Sequence, residues 1–244
     1  MNYKLTISYD GSRYDGWQKQ GNTDNTIQGK LEAVLASVAG EAVELHGAGR
    51  TDAGVHAEAQ VASLRLSSPI APSELMSKAN SYLPDDIAII AAGEAPERFH
   101  ARLGAKGKLY RYSIRIGPVP DVFRRKYQWR VDEALDIEAM KKAAKALCGT
   151  HDYKAFCSLK RYKKSTVRTV DSIDIKLSGQ NMDIYYHGDG FLYNMVRILT
   201  GTLLDVGTGK RKPEDMQAIL TSLDRSQAGP TAPPKGLCLV EVEY

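Results

Sequence analysis

GAGRTDAGVHA, residues 47–57, sets a single acid, Asp52, two positions from Arg50 in a stretch too rich in glycine for the interior of a stable helix or strand. Gly47, Gly49 and Gly54 can take positive φ or admit another molecule close to the backbone, while Ala48, Ala53 and Ala57 leave room around them. By residue type alone Asp52 reads as a turn or cap residue that satisfies backbone donors. Its surroundings reverse that: three glycines, three alanines and an Arg-Thr pair are a crowded device for a simple turn. The expectation is a carboxylate presented on a tight loop. Arg50 either pairs with Asp52 and lowers its pKa or reaches outward to a polyanion. His56 reads as a hydrogen-bonding structural residue rather than a base.

Outward from the loop, apolar alternation over residues 3–9 predicts an opening strand, turned by Asp10-Gly11-Ser12. Thr26 caps a helix carrying Ile27, Leu31, Val34, Leu35 and Val38 at helical spacing, ended by Gly40. A short strand over 42–46 enters the loop, and Val61, Ser63, Leu64 and Leu66 suggest another after it. Pro72 opens a helix that ends near Leu83-Pro84, followed by a strand over 87–91. The second half has a strand over 109–116, a helix over 136–147, strands over 167–177 and 182–187, a helix from about Gly190, and a last strand over 237–243. This order is α+β. Lys4-Leu5 and Lys108-Leu109 both open strands, which hints at a duplicated unit. No linker of low complexity separates the halves, so the joint is placed in the basic stretch 99–108, giving an N-terminal half of 1–104, a C-terminal half of 105–244 and a cleft between them as the natural site.

The chain has 244 residues, 43% of them hydrophobic, and 33 basic against 29 acidic side chains, a net charge of only +4. It can bury a sizeable core, and the question of partner turns on where the cations cluster. Cys148, Cys157 and Cys238 are odd in number and widely spaced, which fits a reducing compartment; with His151 they lack a fourth ligand at zinc spacing, so no metal is expected. MNYKLTISYD reads directly as a strand with no apolar leader, and no stretch approaches membrane-spanning length, so a cytoplasmic location without a membrane partner is expected.

Familiar nucleotide motifs fail. The third glycine of GAGRTDAG falls too late for a dinucleotide fingerprint, and Gly207-Thr208-Gly209-Lys210 is followed by Arg211, with Leu204 where a P-loop needs its first glycine. No nucleophile elbow is present. Cations interleaved with aromatics recur instead: Phe99, His100 and Arg102; Lys106, Lys108, Tyr110, Arg111 and Tyr112; Phe123 to Tyr127; then Arg161, Lys163, Lys164 and Arg168. One such cluster suits a solvated face, but four favour nucleic acid, with phosphates on the cations and bases stacked on the rings. In GFLYNMVR, Leu192, Met195 and Val196 open an apolar stripe continued by Leu199 and Leu203. Arg197 lies off it, either as a surface residue or as a cation aimed at a carboxylate.

Together these segments resemble the A-type tRNA pseudouridine synthases, which modify the anticodon stem-loop. The resemblance runs over nearly the whole chain, through YDGSRYDGWQKQ, TIQGKLEAVL, GAGRTDAGVHA, FHAR, KLYRYSI, GFLYNMVRILTGTLLDVG and AGPTAPPKGLCLVEVEY, and is weakest over 118–168. It implies the α+β pseudouridine synthase fold: two similar halves, each a mainly antiparallel sheet with helices on one face, meeting at a basic central cleft. It implies isomerisation of uridines 38, 39 and 40 of tRNA, no cofactor and a homodimer. Residue by residue, Asp52 resembles the nucleophile and Arg50 the residue that enters the RNA stack when the target base leaves. Tyr110 resembles the tyrosine packed on the uracil, Leu237 the apolar group on its other face, and Arg197 the basic partner that keeps the aspartate ionised.

The chemistry accounts for these types. The N1–C1′ bond breaks, the uracil rotates and C5 joins C1′, with no net redox change. An ionised carboxylate can add to C6 of the ring or to C1′ of the sugar. Either route needs the nucleotide out of its stack, at a cost of a few kcal/mol that inserted and stacking side chains offset, and C5 then loses its proton to Tyr110 or a water. A non-catalytic tRNA-binding protein or chaperone would share the basic surface. A nucleoside glycosidase would need a second carboxylate, for which Glu58 is the near neighbour in sequence.

Overall fold

In this computed structural model, which describes residues 1–159 and 165–244, the alternation in NYKLTISY forms β1 (Asn2–Tyr9), with Tyr3, Leu5, Ile7 and Tyr9 buried. α1 (Ile27–Ala39) starts at Thr26, whose hydroxyl accepts the Gly29 N–H at 3.2 Å, and stops at Gly40 with φ 70°. β2 (Leu45–Gly47) is shorter than expected, and β3 (His56–Arg65) begins directly after the glycine loop. α2 (Pro72–Tyr82) and β4 (Ile87–Ala95) follow. Next come β5 (Gly107–Ile116), β6 (Trp129–Val131), α3 (Ile137–Ala146) capped by Asp136, β7 (Gly149–Asp152), β8 (Val167–Ser178) and β9 (Asn181–Gly188). α4 (Met195–Gly207), α5 (Asp215–Ser222) and β10 (Leu237–Glu243) complete the chain.

The chain divides into two compact units. The first is Met1–Lys106 with Cys238–Tyr244. Its β1 lies antiparallel between β3 and β4, with Leu5 opposite Ala62 on one side and Ala92 on the other, and β2 continues antiparallel on β3. β10 pairs parallel with β3, Cys238 opposite His56 and Leu239 opposite Ala57. A contiguous division at 104 and 105 therefore misplaces the last strand: it returns to the first unit because it finds its hydrogen-bond partners on β3. α1 buries Ile27, Leu31 and Leu35.

The second unit is Gly107–Leu237. β5, β9, β8 and β7 run antiparallel in that order, with Tyr110 opposite Tyr186, and β6 lies parallel to β5. The fold is thus α+β, with mainly antiparallel pairing in each unit and, among the described residues, a parallel pairing in each, β10 on β3 and β6 on β5. α4 departs from the expected stripe. It begins at Met195, after Asn194 in a left-handed conformation, and nearly all its residues are buried, Thr200, Gly201 and Thr202 included. Residues 190–194 turn rather than coil into the helix. No described helix is long and apolar enough to cross a membrane.

Candidate active site

Within the first unit the loop from Ala48 to Val55 is held at both ends and along its length. Ala48 N–H donates to the Val61 carbonyl at 2.7 Å, and Gln60 Nε2 to the Gly49 carbonyl at 3.0 Å. Thr51, buried, joins its hydroxyl to that of Tyr9 at 2.7 Å and accepts the Trp17 N–H on its carbonyl at 3.0 Å. Val55 N–H closes a turn on the Asp52 carbonyl at 3.1 Å, and Gly54, at φ 77°, donates to Tyr14 at 3.3 Å. Asp52 is half-buried at the head of this turn. A backbone bonded at every second or third residue cannot drift, so the Asp52 carboxyl is carried on a fixed mount.

The clamp is the segment YDGSRYDGWQ, and its glycines explain it. A Cβ on Gly11 would stand 1.9 Å from the Val55 carbonyl oxygen, and one on Gly16 2.8 Å from that of Thr51. Two stretches of main chain lie in direct contact there, which no side chain at 11 or 16 would allow. Gly47 serves the same core. A Cβ on it would meet the Trp17 indole at 2.6 Å, so the space at 47 is filled by the protein's own Trp17, which is buried, rather than kept for another molecule. His56 is buried with Nδ1 3.1 Å from both the Gly11 N–H and Asp10 Oδ1, which ties the start of β3 to the same segment. Tyr14 donates its hydroxyl to Asp86 at 2.5 Å; burial, then that bond, pushes its pKa up to about 12.

Arg50 is exposed and donates through Nε to Gln18 Oε1 at 3.0 Å. Gln18 donates in turn to Gln28 at 2.8 Å, and Gln28 to Glu32 at 2.9 Å and to the Leu45 carbonyl at 3.0 Å. Gln28 and Glu32 are buried on α1, one turn apart, so a polar chain runs from the helix to the base of Arg50.

In the second unit, Tyr110 on β5 is 7% exposed and meets Phe191 edge-on, with ring centroids 5.3 Å apart. Leu237 is 6% exposed. It follows a segment fastened to α4: Arg197 Nε donates to the Ala232 carbonyl at 2.7 Å, its Nη1 to Asn194 Oδ1 at 2.9 Å, and Ala232 N–H to the Arg197 carbonyl at 3.1 Å. A Cβ on Gly201 would lie 1.9 Å from the Pro230 carbonyl oxygen, and Gly229 N–H donates to the Thr202 hydroxyl at 2.9 Å. A Cβ on Gly236 would meet the Tyr112 ring, whose hydroxyl donates to the Pro233 carbonyl at 2.7 Å. Arg197 is thus half-buried, holding down the segment that ends at Leu237.

Of the basic and aromatic candidates, Arg102 and Lys106 are exposed in the first unit. Phe99 packs its ring on Tyr244 at 5.1 Å, and His100 stacks on His46 at 5.0 Å while its Nδ1 accepts the Arg102 N–H at 3.1 Å. Both rings are engaged within the protein and shape the turn that presents Arg102. Arg168, in the second unit, is half-buried and donates to the Ser165 carbonyl at 3.0 Å. Arg161, Lys163 and Lys164 lie outside the described residues. Among the described residues no cluster of His, Cys, Asp and Glu could hold a metal ion, and the cysteines are free thiols.

The sequence pattern gives Gly11 only a place in the turn after β1, and gives Trp17 and Gln28 no role, although each stands in a quoted segment. Their signals were two glycines in a short polar stretch and two polar residues, Gln28 and Glu32, beside the apolar stripe of α1.

A half-buried aspartate on a clamped glycine loop, in an α+β chain of two units, is what the comparisons bear on: the chain belongs to the tRNA pseudouridine synthase family, whose model matches residues 5–103 and 143–244. Asp52, Arg50, Arg197 and Leu237 fall inside the match, and Tyr110 in the interval between its two parts. The chain is similar to tRNA pseudouridine synthase A of Bacillus sp. (strain KSM-64), at 47% identity over 100% of this chain and 99% of that one. It is also similar to tRNA pseudouridine synthase A 2 of Clostridium perfringens (strain 13 / Type A), at 47% over the same shares, and to tRNA pseudouridine synthase A of Brevibacillus brevis, at 44% over 99% and 98%. A chain of the solved structure "Crystal Structure of a Cbf5-Nop10-Gar1 Complex" is similar at 14% identity and TM-score 0.39, over 97% of this chain and 48% of that one, too loosely to carry an argument.

Proposed function

We propose that this chain isomerises uridine to pseudouridine in the anticodon stem-loop of tRNA, with Asp52 as nucleophile and no cofactor. The observation that carries the reading is the mounting of Asp52: a half-buried carboxylate fixed by backbone bonds, in a chain related over its full length to tRNA pseudouridine synthases. The target nucleotide leaves its stack and Arg50, braced by Gln18, enters the space. Tyr110 and Leu237 take the two faces of the uracil, and Arg197 favours the ionised form of Asp52. Asp52 adds to C6 or C1′, the N1–C1′ bond breaks, the ring turns, the C5–C1′ bond forms, and the Asp52 carboxylate leaves, displaced from C1′ by C5 or eliminated from C6. The C5 hydrogen leaves as a proton to Tyr110 or water while N1 gains one, so the product is an isomer. Arg102, Lys106 and Arg168, with Arg161, Lys163 and Lys164, supply cations for phosphates, and Phe99 and His100 support the turn at Arg102. The working form is a homodimer in the cytoplasm.

The experiment is tritium release from C5-labelled uridine in tRNA transcripts. Release by the unaltered protein, and none by Asp52→Asn with tRNA affinity kept, is the expected result. Equal release by the variant would remove Asp52 from the chemistry. Salt-sensitive binding without release by either protein would leave a tRNA-binding protein or chaperone.

A further inference from the structure

GPVPDVFRRKYQ, residues 117–128 of the second unit, plays no part in the reaction above. Asp121 organises it: one carboxylate oxygen accepts the N–H groups of Phe123 and Arg124, both at 3.1 Å, and Tyr127 N–H closes on the Arg124 carbonyl at 2.8 Å. The turn holds the Phe123 ring 89% exposed, next to Val122 at 55%. Burying such a ring would stabilise a fold by about 2 kcal/mol, so an ordered turn that keeps it in water serves something other than folding.

An open groove of about 360 Å³ adjoins the turn, lined by Arg115, Arg125, Arg130 and Lys235 together with Trp129 and Asp121. Arg115 donates to Gln180, and Arg125 to the Val122 carbonyl, so neutral oxygens hold these guanidinium groups without cancelling their charge. Arg130 donates to the Pro118 carbonyl at 3.1 Å and pairs with Asp132 at 3.0 Å. The groove is net positive. Arg115 stands on β5 five residues from Tyr110, which at ~3.3 Å per residue is roughly 17 Å. A ligand here is therefore not the base under Tyr110.

We propose that this turn and groove form a second RNA-contact site, with Phe123 stacked on an unpaired base of the tRNA and the guanidinium groups on phosphodiester oxygens. The proposal rests on the reading of this chain as a tRNA-modifying enzyme. A polyanion suits the charge, whereas a second copy docked here about a twofold axis would set Arg124, Arg125 and Lys126 against their own equivalents.

The test uses Phe123→Ala and Arg125→Glu in the full chain, with thermal melts to confirm that these exposed positions leave the fold intact. Expected for Phe123→Ala is a tRNA Kd raised about five- to tenfold. For Arg125→Glu, the dependence of log Kd on log salt flattens by about one or more. Tritium release at saturating tRNA stays unchanged in both. Unaltered Kd and salt dependence in both variants would overturn the site, as would a dimer converted to monomer with RNA affinity retained. Phe123-dependent tRNA binding by a protein that releases no tritium would sink the isomerase reading alone and keep the site. No tRNA binding by the unaltered protein would sink both.

Discussion

Gly11 and Val55 touch main chain to main chain, so the position of Asp52 depends on a residue with no side chain at all. Gly11→Ala drives a methyl into the Val55 carbonyl and is expected to cost about 1–3 kcal/mol, read from urea melts, and to lower turnover at saturating tRNA. Gly21→Ala, which meets nothing within 4 Å, is the control and is expected to be silent on both counts. At this scale the sequence was partly legible. The acid stood out because small residues surround it, and His56 was placed correctly as a hydrogen-bonding residue. The space at Gly47 was read as room for another molecule because Trp17, thirty positions earlier, carries no local sign that it will fill it.

α4 and the segment before β10 behave as one element. The helix offers Gly201 and Thr202 to Pro230 and Gly229, and Arg197 to Ala232, so Leu237 inherits its position from the helix. Thr202→Val keeps the shape but removes the hydroxyl that accepts the Gly229 N–H. The buried donor left behind is expected to cost about 1–3 kcal/mol, checked by chemical denaturation. Strong periodicity made β1, α1, β5, α3, β8 and β9 readable from sequence. β6, β7 and α5 were not read: β6 and β7 have three and four residues, too few to establish a period, and α5 has eight. The start of α4 was placed too early because the apolar spacing of Leu192 and Met195 continues through the turn, while the left-handed Asn194 that breaks the helix has no pattern of its own.

For the whole molecule, buried phenols set the response to alkali. Tyr112, Tyr153, Tyr186 and Tyr244 have pKa values pushed well above the ordinary tyrosine value by burial, and Tyr14 is raised to about 12. The unfolded chain loses these protons near pH 10 while the folded chain keeps them. Above that pH the folded state binds more protons, so stability is full below about pH 10 and falls as pH rises through the Tyr14 value. Guanidinium melts at pH 9 and pH 11 are expected to show the loss, and Tyr14→Phe to remove its share. The return of β10 to the first unit is not legible in the sequence, because a parallel pairing between His56 and Cys238 leaves no trace in either segment's own pattern. The chain also has two tryptophans, Trp17 in the first unit, lying on Gly47 and bonded to Thr51, and Trp129 in the second, beside the basic groove. Each unit therefore carries its own fluorophore: with Trp129 changed to Phe, the remaining emission follows the aspartate loop, and with Trp17 changed instead, it follows the groove, so events at the two places can be timed separately in solution.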